Sequence, residues 1–508
     1  MPCLLGIDNG LTVTKAVVFD ETGAVLSVAR RRIPQIMTKA RHVERDMAGL
    51  WAATAEAISD AIAESGRPAS EIAAVAATAH GDGLYLLDRD GNPLGHGILS
   101  LDSRAGDIVA RWDGDGTAEA ALALSGQRPH ASAPASLLAH IREHEPERFG
   151  AIGTAFACKD WLRYCLTGTI GTDLTEASTS FTEVASQAYA PDILELYGLG
   201  ALSGALPELA LPDAVIGGVT PQAAALTGLV AGTPVVAGLH DVTASSLGIG
   251  GYGVGQVAVV AGTYSINETV STRPVVDARW FCRNGLRFGE WNNMAISPAS
   301  AANYDWFLDR LCKSDQKAAE VEGASIHERL GREIGEAIER PSTVLFHPYL
   351  FGSPHGSTAS AGFLGLRGWH GRADMLRAVI EGIAFNHRVH VGDLRQGFEM
   401  KTAKLTGGIS RNPLFAQLFA DVLGMTVTVT DTEEAAAWGA ALCAGSGIGL
   451  FSSPTDDPRD LASIGHDYHP DLVRQKALDE RYGLHSDLAK ALAPLWPRIE
   501  AFGSEGAE

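Results

Sequence analysis

Cysteine is scarce in this sequence, and the cysteines are not grouped. Six of them are spread over 508 residues, with no C-x-x-C pair and no cysteine–histidine cluster. This pattern argues against a disulfide-stapled fold and a cysteine-ligated metal site, and it predicts free thiols in a reducing compartment. The N-terminus has no basic residues and only a short apolar run, and no later run is long enough to cross a membrane. We therefore expect a cytoplasmic protein without a membrane partner.

Positive charge is also in short supply. Lysine and arginine number 40 against 60 acidic residues, which leaves a formal net charge of -20. Such a balance argues against nucleic acid or an anionic membrane as a partner. It does not exclude a nucleotide, because backbone N–H groups and one or two cations can hold phosphates locally.

The common nucleotide and metal motifs are missing. The sequence has no G-x-x-x-x-G-K-[ST] loop, no protein-kinase glycine loop with its catalytic loop, and no H-E-x-x-H. The glycines from Gly250 to Gly255 lack the strand and helix that a dinucleotide fingerprint requires. A nucleotide site in this chain must therefore be of another kind.

The length and pattern predict a globular α/β protein with at least two domains. The chain is longer than one core usually serves, and 46% of its residues are hydrophobic. Strands alternate with amphipathic helices, and a strand, a Gly/Thr turn and a second strand occur both near the start and again after position 233. We place the boundary in the glycine-rich run near 250, which predicts domains at 1–248 and 249–508.

The first chemical candidate is the loop that joins two predicted strands, at 4–7 and 15–19. It carries Thr12, Thr14 and Lys15, so hydroxyls, a cation and backbone N–H groups are available to a polyphosphate. Asp8 at the start of the loop could hold Mg²⁺, which prefers carboxylate oxygen. The alternative is a plain β-hairpin with a polar turn.

Two glycine turns in the second half could complete a nucleotide site. Gly262-Thr263 follows a predicted strand, and so does Gly407-Gly408, where backbone can approach a flat ligand closely. Asn412 and Pro413 open the next predicted helix. Asn412 also has a purely structural interpretation as the N-cap of that helix.

Carboxylates at strand ends are candidates for acid–base chemistry and hydroxyl binding. Asp241 lies where a strand ends and a helix begins, so it is either an N-cap or a general base that accepts the proton of an attacking hydroxyl. Asp82, Asp102 and Arg104 suit hydrogen bonds to sugar hydroxyls, and solvated turn residues are the alternative.

Taken in order, these segments resemble the FGGY carbohydrate kinases over about residues 3–450. The resemblance rests on Gly6-Ile7-Asp8-Asn9-Gly10, Lys159-Asp160-Trp161-Leu162, Gly238-Leu239-His240-Asp241, Gly262-Thr263, Pro348-Tyr349-Leu350 and Thr406-Gly407-Gly408 with Asn412. It also includes a C-terminal signature that begins at Ala361-Gly362-Phe363-Leu364-Gly365-Leu366. The resemblance implies two actin-like (ribonuclease-H-like) domains that close on ATP and a sugar across an inter-domain cleft.

The resemblance also implies a role for each matching residue. Asp241 corresponds to the catalytic base and contacts the substrate, and Asp8 corresponds to the acidic residue near Mg²⁺. The remaining correspondences are the sugar pair Gly81-Asp82, the first phosphate loop with Thr12 and Lys15, the second phosphate contact Thr263, and the nucleotide pocket with Gly408 and Asn412. The chain departs from the family at Leu11, where many members have threonine, and at Phe351-Gly352-Ser353-Pro354-His355.

The expected cofactors are ATP and Mg²⁺, and the expected acceptor is a ketopentose such as xylulose. Erythritol is the second candidate acceptor and glycerol the third. A non-catalytic nucleotide-binding regulatory protein on the same fold is an alternative of another class, and a sugar-independent ATPase is a third. A homodimer is compatible with the sequence, which does not determine the oligomeric state.

Overall fold

The computed structural model describes residues 1–323, 325–356 and 358–504. The chain forms two compact units. The first comprises Met1–Tyr252, Val270–Asn293 and Thr432–Leu461, and the second comprises Gly253–Thr269, Met294–Asp431 and the chain from 462 onward. The domain boundary at 248/249 remains a prediction drawn along the sequence, and the last four residues of the predicted C-terminal domain, 505–508, lie outside the described residues.

The strands vary from two-residue pairs to eight-residue elements. In chain order they are β1 (Cys3–Asn9), β2 (Val13–Asp20), β3 (Val25–Arg32), β4 (Glu44–Arg45), β5 (Ile72–Ala79), β6 (Tyr85–Leu87), β7 (Gly97–Ile98), β8 (Thr154–Phe156), β9 (Thr172–Asp173), β10 (Leu209–Ala210), β11 (Val215–Gly218), β12 (Pro234–Val236), β13 (Leu239–His240), β14 (Gln256–Ala261), β15 (Ser265–Ser271), β16 (Phe281–Asn284), β17 (Trp291–Ser297), β18 (Leu345–His347), β19 (Gly362–Leu364), β20 (Thr402–Thr406), β21 (Thr426–Thr430) and β22 (Gly465–Tyr468).

Helices separate most of these strands. They are α1 (Met47–Glu64), α2 (Gly106–Asp115), α3 (Thr117–Ser125), α4 (Pro134–His144), α5 (Pro146–Gly150), α6 (Cys158–Thr167), α7 (Leu174–Ala177), α8 (Pro191–Leu196), α9 (Pro221–Thr227), α10 (Asp241–Gly248), α11 (Ala301–Leu311), α12 (Lys313–Glu322), α13 (Ile326–Ile338), α14 (Arg372–Leu394), α15 (Pro413–Leu423), α16 (Ala435–Gly447), α17 (Leu472–Leu492) and α18 (Trp496–Ser504). Among the described residues, no helix has both the length and the hydropathy of a membrane span.

The main sheet of the first unit has the strand order β11-β12-β5-β1-β2-β3, and β13 also pairs with β5. β1 and β2 form the antiparallel hairpin that the sequence predicts, while β1 and β13 both run parallel to β5. The carboxyl ends of β1, β5 and β13 therefore lie side by side at one edge of the sheet. Ligands bind at such edges in open α/β sheets.

Local sequence signals explain several element boundaries. Helix α1 begins after Asp46, whose carboxylate accepts hydrogen bonds from the amides of Ala48 and Gly49 at 3.1 Å each, so Asp46 is the N-cap of this helix. From its glycine and aspartate, the segment Gly238-Leu239-His240-Asp241 is predicted to be a turn after a buried strand, and this prediction is wrong in the middle of the segment. Leu239 and His240 form strand β13, because their parallel pairing with β5 supplies backbone partners that the short segment does not reveal by itself.

The sheet of the second unit includes the order β15-β14-β20-β21-β22. β14 is antiparallel to β15 and parallel to β20, with Val260 opposite Thr406. The two glycine turns that follow β14 and β20 are consequently neighbours at one edge of this sheet.

Helices α10 and α16 of the first unit pack through glycine. A Cβ added at Gly439 would collide with the carbonyl oxygen of Ala244, and one added at Gly248 would collide with that of Ala435. Trp438 and Leu247 surround this contact in a buried apolar cluster. The first turns of α10 therefore depend on a helix contact with no room for an additional methyl group.

We predict that Gly439→Ala lowers the free energy of unfolding by about 1–3 kcal/mol, because the added methyl group forces the two backbones apart. Gly114→Ala is the matched control, since Gly114 is also helical and a Cβ there would meet no atom within 4 Å. The control should be neutral or up to about 1 kcal/mol more stable. Urea unfolding measures both, and equal midpoints for the two variants would contradict the packing argument.

Candidate active site

Three carboxylates come together at the carboxyl edge of the first sheet. Asp8 lies near the end of β1 opposite Thr78 of β5, Asp82 follows the end of β5, and Asp241 follows β13. The parallel pairing of these strands brings positions that are 74 and 159 residues apart in sequence to one edge. The structure thus gathers three of the predicted site residues.

Asp241 is the first residue of helix α10, and His240 occupies the N-cap position. The carboxylate of Asp241 accepts a hydrogen bond from the amide of Val242 at 2.8 Å, and its side chain remains 32% exposed. Burial and the neighbouring carboxylates of Asp8 and Asp82 raise the pKa of Asp241 to about 7. A carboxylate with this pKa suits general base catalysis near neutral pH better than it suits a plain cap.

Asp82 has a strained backbone and a strong cationic partner. Its φ of 57° lies in the left-handed region, which aspartate tolerates better than most residues. Its Oδ1 accepts a hydrogen bond from Arg283 at 3.0 Å and lies 3.5 Å from His130 Nε2. Although burial opposes it, Arg283 holds the pKa of Asp82 well below its usual range. Gly81 is required beside it, because a Cβ there would collide with the ring of His240.

Arg283 is the principal site residue that the sequence analysis missed. Its side chain is 1% exposed and contacts Gln127 Oε1 at 3.0 Å and His240 Nε2 at 3.3 Å in addition to Asp82. Burial and the Arg283 charge lower the pKa of His240 to about 3, so this ring is neutral. No short motif surrounds Arg283, and only the fold brings it beside residues that are far away in sequence.

The predicted phosphate loop is the tip of the β1–β2 hairpin. Lys15 Nζ lies 3.2 Å from Asp8 Oδ2 and 3.0 Å from Glu434 Oε2, so the lysine joins two carboxylates. Thr12 is exposed at the tip. Successive side chains of a strand alternate between its two faces, so Thr14 points to the face opposite that of Lys15. The buried hydroxyl of Thr14 lies 3.2 Å from the hydroxyl of Thr54. This position does not favour the predicted phosphate contact of Thr14.

Asp102 and Arg104 form a buried pair. Asp102 Oδ1 accepts hydrogen bonds from the amide and the Nε of Arg104 at 2.9 Å each, and Asp102 Oδ2 accepts from the amide of Val43 at 2.7 Å. Arg104 also donates to Glu44 Oε1 at 2.7 Å. These contacts engage the groups that were predicted to bind sugar hydroxyls, so a direct sugar contact by either residue stays a prediction.

A fully buried ionic network supports the start of helix α10. Lys159 Nζ lies 2.6 Å from Asp160 Oδ1 and 2.8 Å from Asp173 Oδ1, and it also contacts the carbonyl of Ala237 at 3.4 Å. Asp173 accepts a hydrogen bond from the hydroxyl of Thr175 at 2.6 Å, and that hydroxyl oxygen accepts one from the amide of His240 at 2.9 Å. The network therefore orients the peptide that precedes Asp241.

The second unit gathers the other predicted residues. Gly407 has a φ of 106°, and a Cβ there would collide with the carbonyl of Ala261. The Gly262-Thr263 turn and the Gly407-Gly408 turn are therefore in close contact, with Thr263 exposed. Only glycine permits this approach and this backbone angle.

A cavity of about 750 Å³ adjoins these turns and is lined by residues of α13 and of the 408–415 segment. Gly408 and Asn412 are among its lining residues, as are His327 and Arg332, which the sequence analysis did not single out. Asn412 Oδ1 accepts a hydrogen bond from the amide of Leu414 at 3.0 Å, so it is also the N-cap of α15. Both interpretations of Asn412 are compatible with this position.

The described carboxylates, histidines and cysteines do not form a preassembled metal centre. In the described part of the chain, no group of three or more such side chains is arranged to hold a metal ion. A cation at Asp8 would therefore need ligands from a substrate or from solvent, as Mg²⁺ commonly does.

Family models match most of the chain. The N-terminal domain model of the FGGY family of carbohydrate kinases matches residues 3–248, and the C-terminal domain model of the same family matches residues 257–448.

Similar proteins cover the chain almost completely. An L-xylulose/3-keto-L-gulonate kinase from Escherichia coli is 32% identical, and the alignment covers 98% of each chain. An erythritol kinase from Brucella abortus is 28% identical over 98% of this chain and 97% of its own. The crystal structure of a xylulose kinase from Rhodospirillum rubrum superposes with a TM-score of 0.86 at 27% identity and covers 97% of this chain and 99% of its own. This likeness confirms the predicted α/β, actin-like (ribonuclease-H-like) fold class.

We predict that Arg283→Met lowers the free energy of unfolding by about 3 kcal/mol, because the variant leaves the Asp82 carboxylate without its buried partner. Arg279→Met is the control, since Arg279 is 36% exposed and pairs with Asp277 at 2.7 Å in a surface position. The control should change stability by less than about 1 kcal/mol. Chemical denaturation distinguishes the two, and equal losses would show that Arg283 is not an electrostatic anchor.

Proposed function

We propose that this chain, which belongs to the FGGY family of carbohydrate kinases, transfers the terminal phosphoryl group of ATP to a hydroxyl of a small sugar, with a ketopentose such as xylulose as the acceptor. The observation that carries the proposal is the position of Asp241, at the carboxyl edge of the parallel strands and with a pKa of about 7. A binding protein or a simple regulatory protein would not need a carboxylate poised in this way.

Asp241 is proposed to act as the general base. Its ionised carboxylate accepts the proton of the acceptor hydroxyl while the hydroxyl oxygen forms a bond to the terminal phosphorus and the bond from that phosphorus to the leaving ADP oxygen breaks. The amide of Val242 donates a hydrogen bond to this carboxylate and favours its ionised form. The neutral His240 ring beside it adds no competing charge.

Asp8 is the residue that we assign to Mg²⁺. Burial raises the pKa of Asp8 even though Lys15 opposes the shift, and Asp8 in turn raises the pKa of Asp241. Two carboxylates that disfavour each other's charge fit a divalent cation, which would relieve the repulsion. When bound, Mg²⁺ neutralises charge on the phosphate oxygens.

The other predicted residues divide between the two substrates. For the nucleotide we assign the exposed tip residue Thr12, with Lys15 behind it, together with Thr14, Thr263, Gly407, Gly408 and Asn412. For the sugar we assign Gly81 and Asp82, with Asp102 and Arg104 beside them. Of these, Thr14 has the least support, because its hydroxyl is buried against Thr54.

The identity of the acceptor rests on the relatives. Similarity to the L-xylulose/3-keto-L-gulonate kinase over 98% of the chain favours a ketopentose. Similarity to an erythritol kinase over the same share of the chain supports a four-carbon polyol as the second candidate.

We expect ADP release to increase strongly with a single acceptor in a panel of pentuloses, tetritols, glycerol and hexoses. Asp241→Asn should lower kcat about 100-fold or more, because the neutral amide cannot accept the proton. Binding of ATP by the variant, measured by calorimetry, should remain, which separates a chemical defect from unfolding. ADP release that is independent of the acceptor would identify an ATPase, and tight ATP binding without turnover would identify a regulatory binder.

The pH profile gives an independent test of Asp241. Because the base works only when ionised, kcat/KM should fall about tenfold per pH unit below about pH 7 and level off above it. Asp82→Asn removes a like charge that raises this pKa, so the midpoint of the acidic limb should move to lower pH. A profile that is flat between about pH 6 and about pH 8 would contradict the assignment.

A further inference from the structure

A small cavity adjoins Asp82 within the first unit. Its volume is about 30 Å³, and its walls are mostly apolar, with Leu84, Phe156 and Phe181 among them. A single water needs about 10–15 Å³ on this measure, so the cavity has room for about two non-hydrogen atoms. We refer to it as the Glu176 cavity, after the acidic residue among those that line it.

Glu176 is the unusual group in this cavity. Its residue is 4% exposed, and its Oε1 is buried without a hydrogen-bond partner among the described residues. The two threonines that line the cavity direct their hydroxyls elsewhere, Thr172 to Asp160 at 2.7 Å and Thr179 to the carbonyl of Glu176 at 2.8 Å. A buried polar atom left in this way is costly unless something else binds it.

The neighbouring lysine does not satisfy Glu176. Lys159 is already contacted by Asp160, Asp173 and the carbonyl of Ala237. Burial raises the pKa of Glu176 well above its usual range, although the charge of Lys159 opposes the shift, and the negative charge of Asp173 adds to it. The protonated carboxyl group can both donate and accept a hydrogen bond, as a hydroxyl group requires of its partner.

The position of Glu176 connects the cavity with the residues around Asp241. Glu176 belongs to the short helix α7, whose Thr175 hydroxyl oxygen accepts a hydrogen bond from the amide of His240. The charge of Asp241 reaches Glu176, and Asp82 lines the same cavity. An acceptor bound between Asp82 and Asp241 therefore has the Glu176 cavity beside it.

We propose that the Glu176 cavity is a subsite for the hydroxymethyl group of the acceptor that is remote from the reacting hydroxyl, and that Glu176 is the specificity-determining residue there. The inference rests on the proposed function. A hydroxymethyl group has one methylene, which fits the apolar walls, and one hydroxyl, which fits the unpartnered Oε1 of Glu176. It also has two non-hydrogen atoms, as the volume allows.

The test compares the preferred acceptor with its analogue in which that remote hydroxymethyl group is a methyl group. A site built to hydrogen-bond a hydroxyl rejects such an analogue strongly. For the unmodified protein we expect kcat/KM to be at least about 100-fold lower with the analogue. Equal kcat/KM values for the two compounds would overturn the proposal and indicate that the cavity holds only solvent. This comparison uses the unmodified protein alone.

Two variants then assign the discrimination to Glu176. Glu176→Gln keeps a neutral donor and acceptor, so the ratio of the two kcat/KM values should stay within about threefold of the original. Glu176→Leu has a similar size but no hydrogen bond, so the ratio should fall to about 1–3. A purely structural role would lower both kcat/KM values by one factor and preserve the ratio, which would refute the subsite. If no acceptor in the panel is phosphorylated by the unmodified protein, the proposed function itself fails.

Discussion

Parallel pairing of β1, β5 and β13 is the constraint on which the site depends, because it forces three carboxylates to one sheet edge. Like charges at such an edge repel each other, and their partners decide how each one responds. Asp82 has Arg283 and Asp8 has Lys15, whereas the carboxylate of Asp241 is met by backbone amides and a neutral histidine. Among the described residues, the proposed base Asp241 is therefore the one of these three carboxylates that has no lysine or arginine in a salt bridge.

Buried ionic groups play a second part, which is to hold backbone in place. Lys159 and its carboxylates lie entirely out of solvent and reach the His240 amide through Thr175. Arg283 does the same for Asp82, whose left-handed backbone needs a fixed partner. Removing one member of such a network leaves the others unpaired in a medium of low dielectric constant. These interior charges therefore hold the backbone of the site in place.

Features with a local signal could be predicted from the sequence. The hairpin that carries Asp8 and the glycine turn at 407 are both indicated by neighbouring residues. The residue type of Thr14 does not tell which face of its strand the side chain occupies. Arg283 and Glu176 have no local signal, because they are ordinary residues until distant segments surround them.

Composition, turn chemistry and the ordered motifs determined the α/β class, the family and the candidate base Asp241, because these depend on short stretches of chain. Tertiary structure alone decided that the segments Val270–Asn293 and Thr432–Leu461 join the first compact unit, and hence that Arg283 and Glu434 lie beside Asp82 and Lys15. It also decided the raised pKa of Asp241. Burial and the distances between charges are properties of the packed chain, and no spacing along the sequence encodes them.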